Sequence, residues 1–428
     1  MALSPAGTRL SEALLPPELA PREFLRTPAL SRWNALRGVR VGLTVAVLLL
    51  LLTGANLATP LYPELQRRMG LTPVDTTLLF SVYVFALVPV LAAVGHWSDQ
   101  LGRRAMVLPA VALAALGDTV FATAGGLGQL ALGRAVQGIA VGLATGAAGA
   151  ALSDLLPDRQ ALAAKLTLAA SAGGVALGPL LGAALARAAS PGEVVLLPFL
   201  LHAAALLVLC VPLAVLHPRF PGQPERQPVT RTQISLRPRA LSLPRAGRRE
   251  FLLAAGTGFT SYAVFGVYLS LAPGYAAKLL HTTAPLAGAA VAALLLAASA
   301  AAQLLARPTR SRAVPALGMT GLAAGLVLVV VAGWAHAPAL LFLGSVLGGA
   351  AQGVAFRTLF TRAVTAMDPA RRGSELSALW VIVYLGSSLP IVGVGLLAQQ
   401  LGILPAVTLF SAVAATACTV LAALSLKR

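Results

Sequence analysis

Acidic side chains are scarce in this 428-residue chain: 14 Asp and Glu stand against 32 Lys and Arg, and only 11% of residues are charged. Soluble domains carry about a quarter. With 57% hydrophobic residues and a mean hydropathy of +0.83, the composition excludes an ordinary water-soluble globule and points to a bilayer. Cysteine is nearly absent. Cys210 and Cys418 both lie in apolar runs, which leaves no disulfide framework or CxxC metal site and reads them as small core residues. Histidine is sparse too, with five residues, and His202 and His336 have no carboxylate or histidine at metal-ligand spacing, so they read as ordinary polar residues and no metal or cofactor is expected. Residues 1–40 have prolines and scattered charges where the apolar core of a signal peptide would sit, and are expected to form a loose cytoplasmic tail with at most a short surface helix.

What is present is a succession of long apolar runs. A crossing helix needs about 20 apolar residues, because each adds ~1.5 Å toward a hydrocarbon core ~30 Å thick. Twelve runs qualify, near 41–63, 76–96, 105–124, 128–152, 161–187, 194–216, 250–273, 284–305, 314–334, 338–364, 374–398 and 403–425. Many are rich in Gly and Ala, which suits close helix packing in lipid, where unpaired backbone is excluded. The expectation is an all-α membrane protein of twelve transmembrane helices.

A net charge of +18 raises nucleic acid as a partner, but the position of the basic residues argues otherwise. With the N-terminus in the cytoplasm, 27 of the 32 Lys and Arg fall on the cytoplasmic side, Arg67, Arg68, Arg187 and Lys278 fall outside, and Arg134 lies within a span. This is the positive-inside pattern of a multi-pass inner (plasma) membrane protein with both termini cytoplasmic, and the lipid bilayer is the partner it implies. Residues 217–249 are rich in Pro and Arg and lack a periodic apolar face. They read as a cytoplasmic linker between six-span halves at 41–216 and 250–425, with 426–428 as a cytoplasmic end. "AVQGIA" at 135–140 returns as "AAQGVA" at 350–355, a faint echo between the halves.

Between the second and third runs stands "GHWSDQLGRR", residues 95–104, with Gly95, Asp99, Gly102, Arg103 and Arg104. Run 4 holds "LGRAVQGIAVG" (132–142), and run 5 holds "GVALGPLLG" (174–182). These resemble, in order, the conserved 2–3 loop, the fourth-span Arg motif and the fifth-span Gly-Pro motif of the major facilitator superfamily, in its twelve-span drug/proton antiporter form. The resemblance covers the whole twelve-span plan and implies two six-helix bundles with a solute site between them near the midplane.

The resemblance also assigns roles. Asp99 would accept hydrogen bonds from the start of span 11 near Ser374, and Arg103 would bridge it to Asp154, closing the cytoplasmic side. A solvated positive-inside loop is the plainer alternative. Gly95 and Gly102 would permit tight packing and a turn. Gly174, Gly178 and Gly182 form a ridge without side chains around Pro179, read either as a cavity seal or as an ordinary helix interface. Gly95, Asp99, Gly102, Arg103, Asp154, Gly174, Gly178, Pro179 and Gly182, with Arg104, form the gating set of ten.

Arg134 falls about 9 Å inside span 4, where an unpaired Arg costs several kcal/mol. With Gln137, Gly138, Val141 and Thr145 it makes a narrow stripe on one helix face. In the resembled fold span 4 lines the central cavity, and Asn56, Thr257, Ser261, Tyr268, Gln352, Trp380, Tyr384 and Ser388 are further lining candidates; an interhelical hydrogen bond is the alternative for each polar one. Asp118 has nearly the depth of Arg134. It is read as a partner of Arg134, and stands both as a proton-coupling candidate and as a structural counter-ion. Drug/proton exporters that the chain resembles carry an acid in span 1, where this chain has Asn56.

Three functions follow as expectations. The first is export of small amphipathic molecules by alternating access, with protons as the coupling ion and no enzymatic step. The second is import or facilitated passage of a neutral or anionic metabolite. The third is a non-transporting receptor or assembly factor using the basic linker.

Overall fold

The computed structural model describes residues 36–94, 97–216, 242–244, 247–282, 284–307, 309–368 and 371–427; the side chains of Val94, Asp99 and Gln100 lie outside this set. Helices dominate, and no strand occurs among the described residues. Twelve helices are long and apolar enough to cross a membrane. In chain order, spans 1 to 6 are Arg37–Leu57, Pro73–Val94, Arg103–Ala122, Leu127–Leu155, Gln160–Ala188 and Leu196–Val215. Spans 7 to 12 are Arg248–Ser270, Pro285–Leu305, Ala313–Trp334, Pro338–Ala366, Arg372–Leu401 and Ile403–Leu426. Twelve crossings bring residues 37 and 427 to the same side, called here the terminal face; the loop after span 1 lies on the opposite face.

The largest departure from the expected boundaries is in span 1, which runs 37–57 instead of 41–63. Pro60 has no N–H to offer the carbonyl of Asn56, so the chain leaves the α-helix through a 3-10 turn at Thr59–Leu61 and resumes as a short helix, Tyr62–Met69. A second short helix, Ala272–Leu279, follows span 7 after the single residue Leu271.

Packing within each half depends on missing side chains, because lipid tails give helices no hydrophobic reason to associate and close van der Waals contact must supply one. Cβ atoms at Gly174, Gly178 and Gly182 would strike the carbonyl oxygens of Leu49, Thr53 and Leu57, so this ridge seats span 5 on span 1. The repeated hexapeptide has a structural meaning. Gly138 lets span 4 rest on the carbonyl of Tyr83 in span 2, and Gly353 lets span 10 rest on that of Ser299 in span 8.

The halves meet toward the opposite face. Ser81 in span 2 donates to the carbonyl of Ser388 in span 11 at 3.2 Å. Nearer that face, Gly395 of span 11 is pressed against the Thr77 side chain of span 2, which is fully buried. Leu269, Ala292, Leu296 and Ile391 of the second half join the apolar core of the first.

Gly178→Ala is expected to destabilise the fold by about 1–3 kcal/mol through overpacking against Thr53 and Asn56. Gly146→Ala, whose Cβ would meet nothing within 4 Å, is the control. Thermal unfolding of the purified proteins in one detergent compares them.

Candidate functional site

Arg134 is 0% exposed, and three helices supply its acceptors. Nη1 donates to the carbonyl of Ala55 in the last turn of span 1 at 2.8 Å, and Nε donates to that of Leu79 in span 2 at 3.3 Å. Carbonyls in a helix's last turn lack intrahelical donors and carry the negative end of its dipole, so this is a place where a cation is stabilised. The guanidinium also lies over the Tyr83 ring, 4.5 Å from its centroid, which adds a cation–π contact in a dry site.

The expected direct pair between Arg134 and Asp118 is replaced by a relay. Nη1 of Arg134 donates to Oε1 of Gln137 at 2.8 Å, one helical turn on, and Nε2 of Gln137 donates to Oδ1 of Asp118 at 2.7 Å. An amide can serve both neighbours because it presents an acceptor on one side and donors on the other. The second oxygen of Asp118 meets His202, whose Nδ1 lies 2.6 Å away, while Nε2 lies 3.0 Å from the carbonyl of Leu50 in span 1. His202 is therefore no ordinary polar residue but the second partner of a buried acid; the pair is 1% and 4% exposed. Span 1 makes room for the ring at Gly54, where a Cβ would collide with it. Linear spacing hid this pair, since 84 residues separate its members. Gly54, just past the leucine run 48–52 of span 1, was the available signal.

The lining candidates separate into groups. Asn56 is buried and donates to the carbonyl of Leu52 at 2.9 Å, beside Gly178. Tyr268 turns into the second half and shares a hydrogen bond with Ser345 at 3.0 Å. Gln352 accepts from Ser299 of span 8 at 2.6 Å, leaving its Nε2 without a partner. Ser388 lies at the junction of the halves, bonded through its backbone to Ser81. Trp380 and Tyr384 are half-buried and stack with Tyr262, Phe265, Phe356 and Phe360 in a continuous aromatic surface from spans 7, 10 and 11. The last four rings were absent from the expected set. Phe265 and Tyr384 pack against the core of the first half, and Tyr83 lies close to both Tyr262 and Tyr384. On span 7, Thr257 and Ser261 are fully buried, and their hydroxyls lack any partner.

On the terminal face, Arg103 donates to Asp154 at 3.0 Å and to Ser98 at 2.7 Å, and Arg104 donates to the carbonyl of Ala214. Gly102 has φ +98°, a left-handed turn before span 3 that a side chain would strain. Pro179 is buried inside span 5, between the glycines that meet span 1. Gly95 and the Asp99 side chain, and with them the expected tie to span 11, lie outside the described residues. Ser374 at the start of span 11 shares a hydrogen bond with Ser242 at 2.7 Å.

Comparison with known proteins places this geometry. The chain is 32% identical over 203 residues to the class D tetracycline resistance protein of Salmonella ordonez, a match covering 45% of this chain and 48% of that protein. It is 30% identical over 155 residues to the bacillibactin exporter of Bacillus subtilis (strain 168), covering 33% and 37%. The matched stretch thus spans about half of the first relative and less of the second. A crystal structure of a bacterial homologue of the human lysosomal transporter Spinster, inward-facing and unoccupied, superposes with a TM-score of 0.74 at 15% identity over 91% of this chain and 98% of the other, and so shares its fold. The family profile described as Major Facilitator Superfamily matches residues 44–391, and the chain, a multi-pass membrane transporter and not an enzyme, belongs to that superfamily.

Proposed function

We propose that the chain exports small amphipathic molecules, many of them aromatic, by alternating access in exchange for protons, with its terminal face in the cytoplasm of a bacterial-type inner membrane. The observation that carries this reading is the half-buried aromatic surface where the halves meet. Tyr262, Trp380 and Tyr384 offer ring faces and edges to planar apolar solutes, and the unpartnered hydroxyls of Thr257 and Ser261 are donors of the kind that buried sites normally keep satisfied. Contacts between the halves toward the opposite face, at Ser81 with Ser388 and at Thr77 with Gly395, support a conformation closed on that side. The terminal face is where most of the basic residues lie, as a cytoplasmic surface requires. The name of one relative, the bacillibactin exporter, agrees with this direction.

Import or facilitated passage of a neutral or anionic metabolite drew its support from the lack of an acid in span 1 and from Arg134 as a ligand for an anion. The guanidinium is wholly buried and engages two backbone carbonyls, Gln137 and the Tyr83 ring, which leaves only Nη2 for an anion and weakens the support from Arg134.

Cells producing the chain should accumulate less tetracycline and ethidium than cells without it, and a protonophore should abolish the difference. Equal accumulation overturns export. Trp380→Ala should raise the half-saturating ethidium concentration roughly two- to tenfold through loss of ring contact, measured as initial efflux rate. Thr77→Cys with Gly395→Cys should form a disulfide on oxidation, stopping efflux until a reductant is added. Undiminished efflux from the fully cross-linked protein overturns alternating access at this contact.

A further inference from the structure

The pairing of Asp118 with His202 fixes how many protons it holds. Nε2 of His202 faces the carbonyl of Leu50 at 3.0 Å, and a carbonyl oxygen offers only lone pairs, so Nε2 carries a hydrogen. Nδ1 faces Oδ2 of Asp118 at 2.6 Å, and one more hydrogen must lie between these atoms, bonded to one or the other. Without it, two lone pairs would confront each other in a site buried from water. The carboxyl group cannot relieve that contact by rotating, since Oδ1 is already engaged by Gln137 at 2.7 Å. The geometry is that of the pair with its proton bound.

We propose that Asp118 and His202 form a one-proton binding site in the first half, loaded in this structure, whose unloading drives span 6 away from span 3. In unloading, the hydrogen between Nδ1 and Oδ2 passes to a water molecule, which becomes hydronium. Asp118 is left as a carboxylate and His202 as a neutral ring protonated on Nε2. No other bond changes, and loading is the reverse. The inference rests on the proton-exchange reading above, and assigns that exchange to a place.

The surroundings of the pair suit it to this task. Span 1 contributes Leu50 and Gly54, neither titratable; span 5 has its charged residues Lys165 and Arg187 near its two ends. Span 4 contributes Gln137 and, through it, Arg134, the one fixed charge in contact with the network. Behind Arg134 stand Tyr83 of span 2 and Tyr62 of the short helix after span 1. With the proton bound, the pair is neutral and Arg134 leaves the cluster with a net positive charge; with the proton gone, the carboxylate cancels it. In the loaded state the charge of Arg134 rests on its carbonyls, Gln137 and the Tyr83 ring, and in the unloaded state the carboxylate offsets it. The relay then leads outward. From Asp118 it runs by consecutive contacts through Gln137 and Arg134 to Tyr83, whose electrostatic neighbours include Tyr384 of the aromatic surface, so a change in charge at the pair is felt toward that surface.

Two measurements on the full chain test this. In nanodiscs with nitrogen-15 histidine, the His202 resonances are identified by their loss in His202→Gln. Raising the pH should remove one proton from the pair, changing Nδ1 while Nε2 stays protonated. Asp118→Asn, which keeps the shape and donates permanently to Nδ1, should abolish that step. A step that is the same in wild type and Asp118→Asn, or no step at all, overturns the proposal. In proteoliposomes with ethidium as probe, Asp118→Asn and His202→Gln with wild-type melting transitions should lose uptake driven by a pH gradient while retaining movement down an ethidium gradient. Persistence of gradient-driven uptake in either variant overturns the proposal and leaves the exporter reading intact. A wild-type protein whose ethidium flux ignores the pH gradient overturns the exchange reading, and the nitrogen spectra then decide the proton site by themselves.

Discussion

A full charge placed at membrane depth must be met by acceptors that the protein itself provides, because neither lipid nor bulk water will supply them. Arg134 meets this requirement at Nε and Nη1 by drawing on the end of span 1, the backbone of span 2 and the side chain of Gln137 in its own helix, while Nη2 is left without a partner. That solution fixes the mutual placement of three helices. It also dictates what surrounds them: Gly138 must be bare for span 4 to approach span 2, and Tyr83 must present its face to the guanidinium. The polar core of the first half is thus one connected object, from the carbonyl of Leu50 through His202, Asp118 and Gln137 to Arg134.

The second half uses the same helix plan with different chemistry. Where the first half has Gln137 between an acid and a base, the second has Gln352 against Ser299, both neutral. Apart from Glu375 in the first turn of span 11, its other buried polar side chains among the described residues are hydroxyls, and its distinctive surface is aromatic. Division of labour follows from these contents. Charge is handled on one side of the pseudo-repeat and ring contact on the other, with Tyr83 and Tyr384 near each other where the two meet.

The spans were legible in the sequence because their cause is local: about twenty apolar residues in a row need no knowledge of neighbours to declare themselves. Arg134 and Gln137 were legible for a related reason, since a buried Arg must have a reason and one helical turn brings the amide beside it. The partnership of Asp118 with His202 was not, because it joins spans 3 and 6 across 84 residues and no periodicity within either helix encodes the other. Tyr268 was misjudged by the opposite error. It shares a face of span 7 with Thr257 and Ser261, three turns on from Thr257, but at that depth its hydroxyl meets Ser345 of span 10 in the interior of the second half. The end of span 1 was misplaced because hydrophobicity continues past Pro60 although the hydrogen-bond ladder does not.

The repeated loops on the terminal face are fastened by different forces. In the first half, Arg103 holds a carboxylate, Asp154, with side chains 22% and 37% exposed. In the second, Arg357 and Arg362 of span 10 reach back to the main-chain carbonyls of Gln303, Thr309 and Ser311. Dissolved electrolyte screens the attraction of two exposed opposite charges over a Debye length of ~10 Å at 0.1 M, whereas a guanidinium bonded to neutral peptide oxygens has no countercharge to be screened from. Concentrated salt should accordingly slacken one bundle's lower rim and leave its twin taut, making ionic strength an asymmetric lever on a nominally symmetric machine.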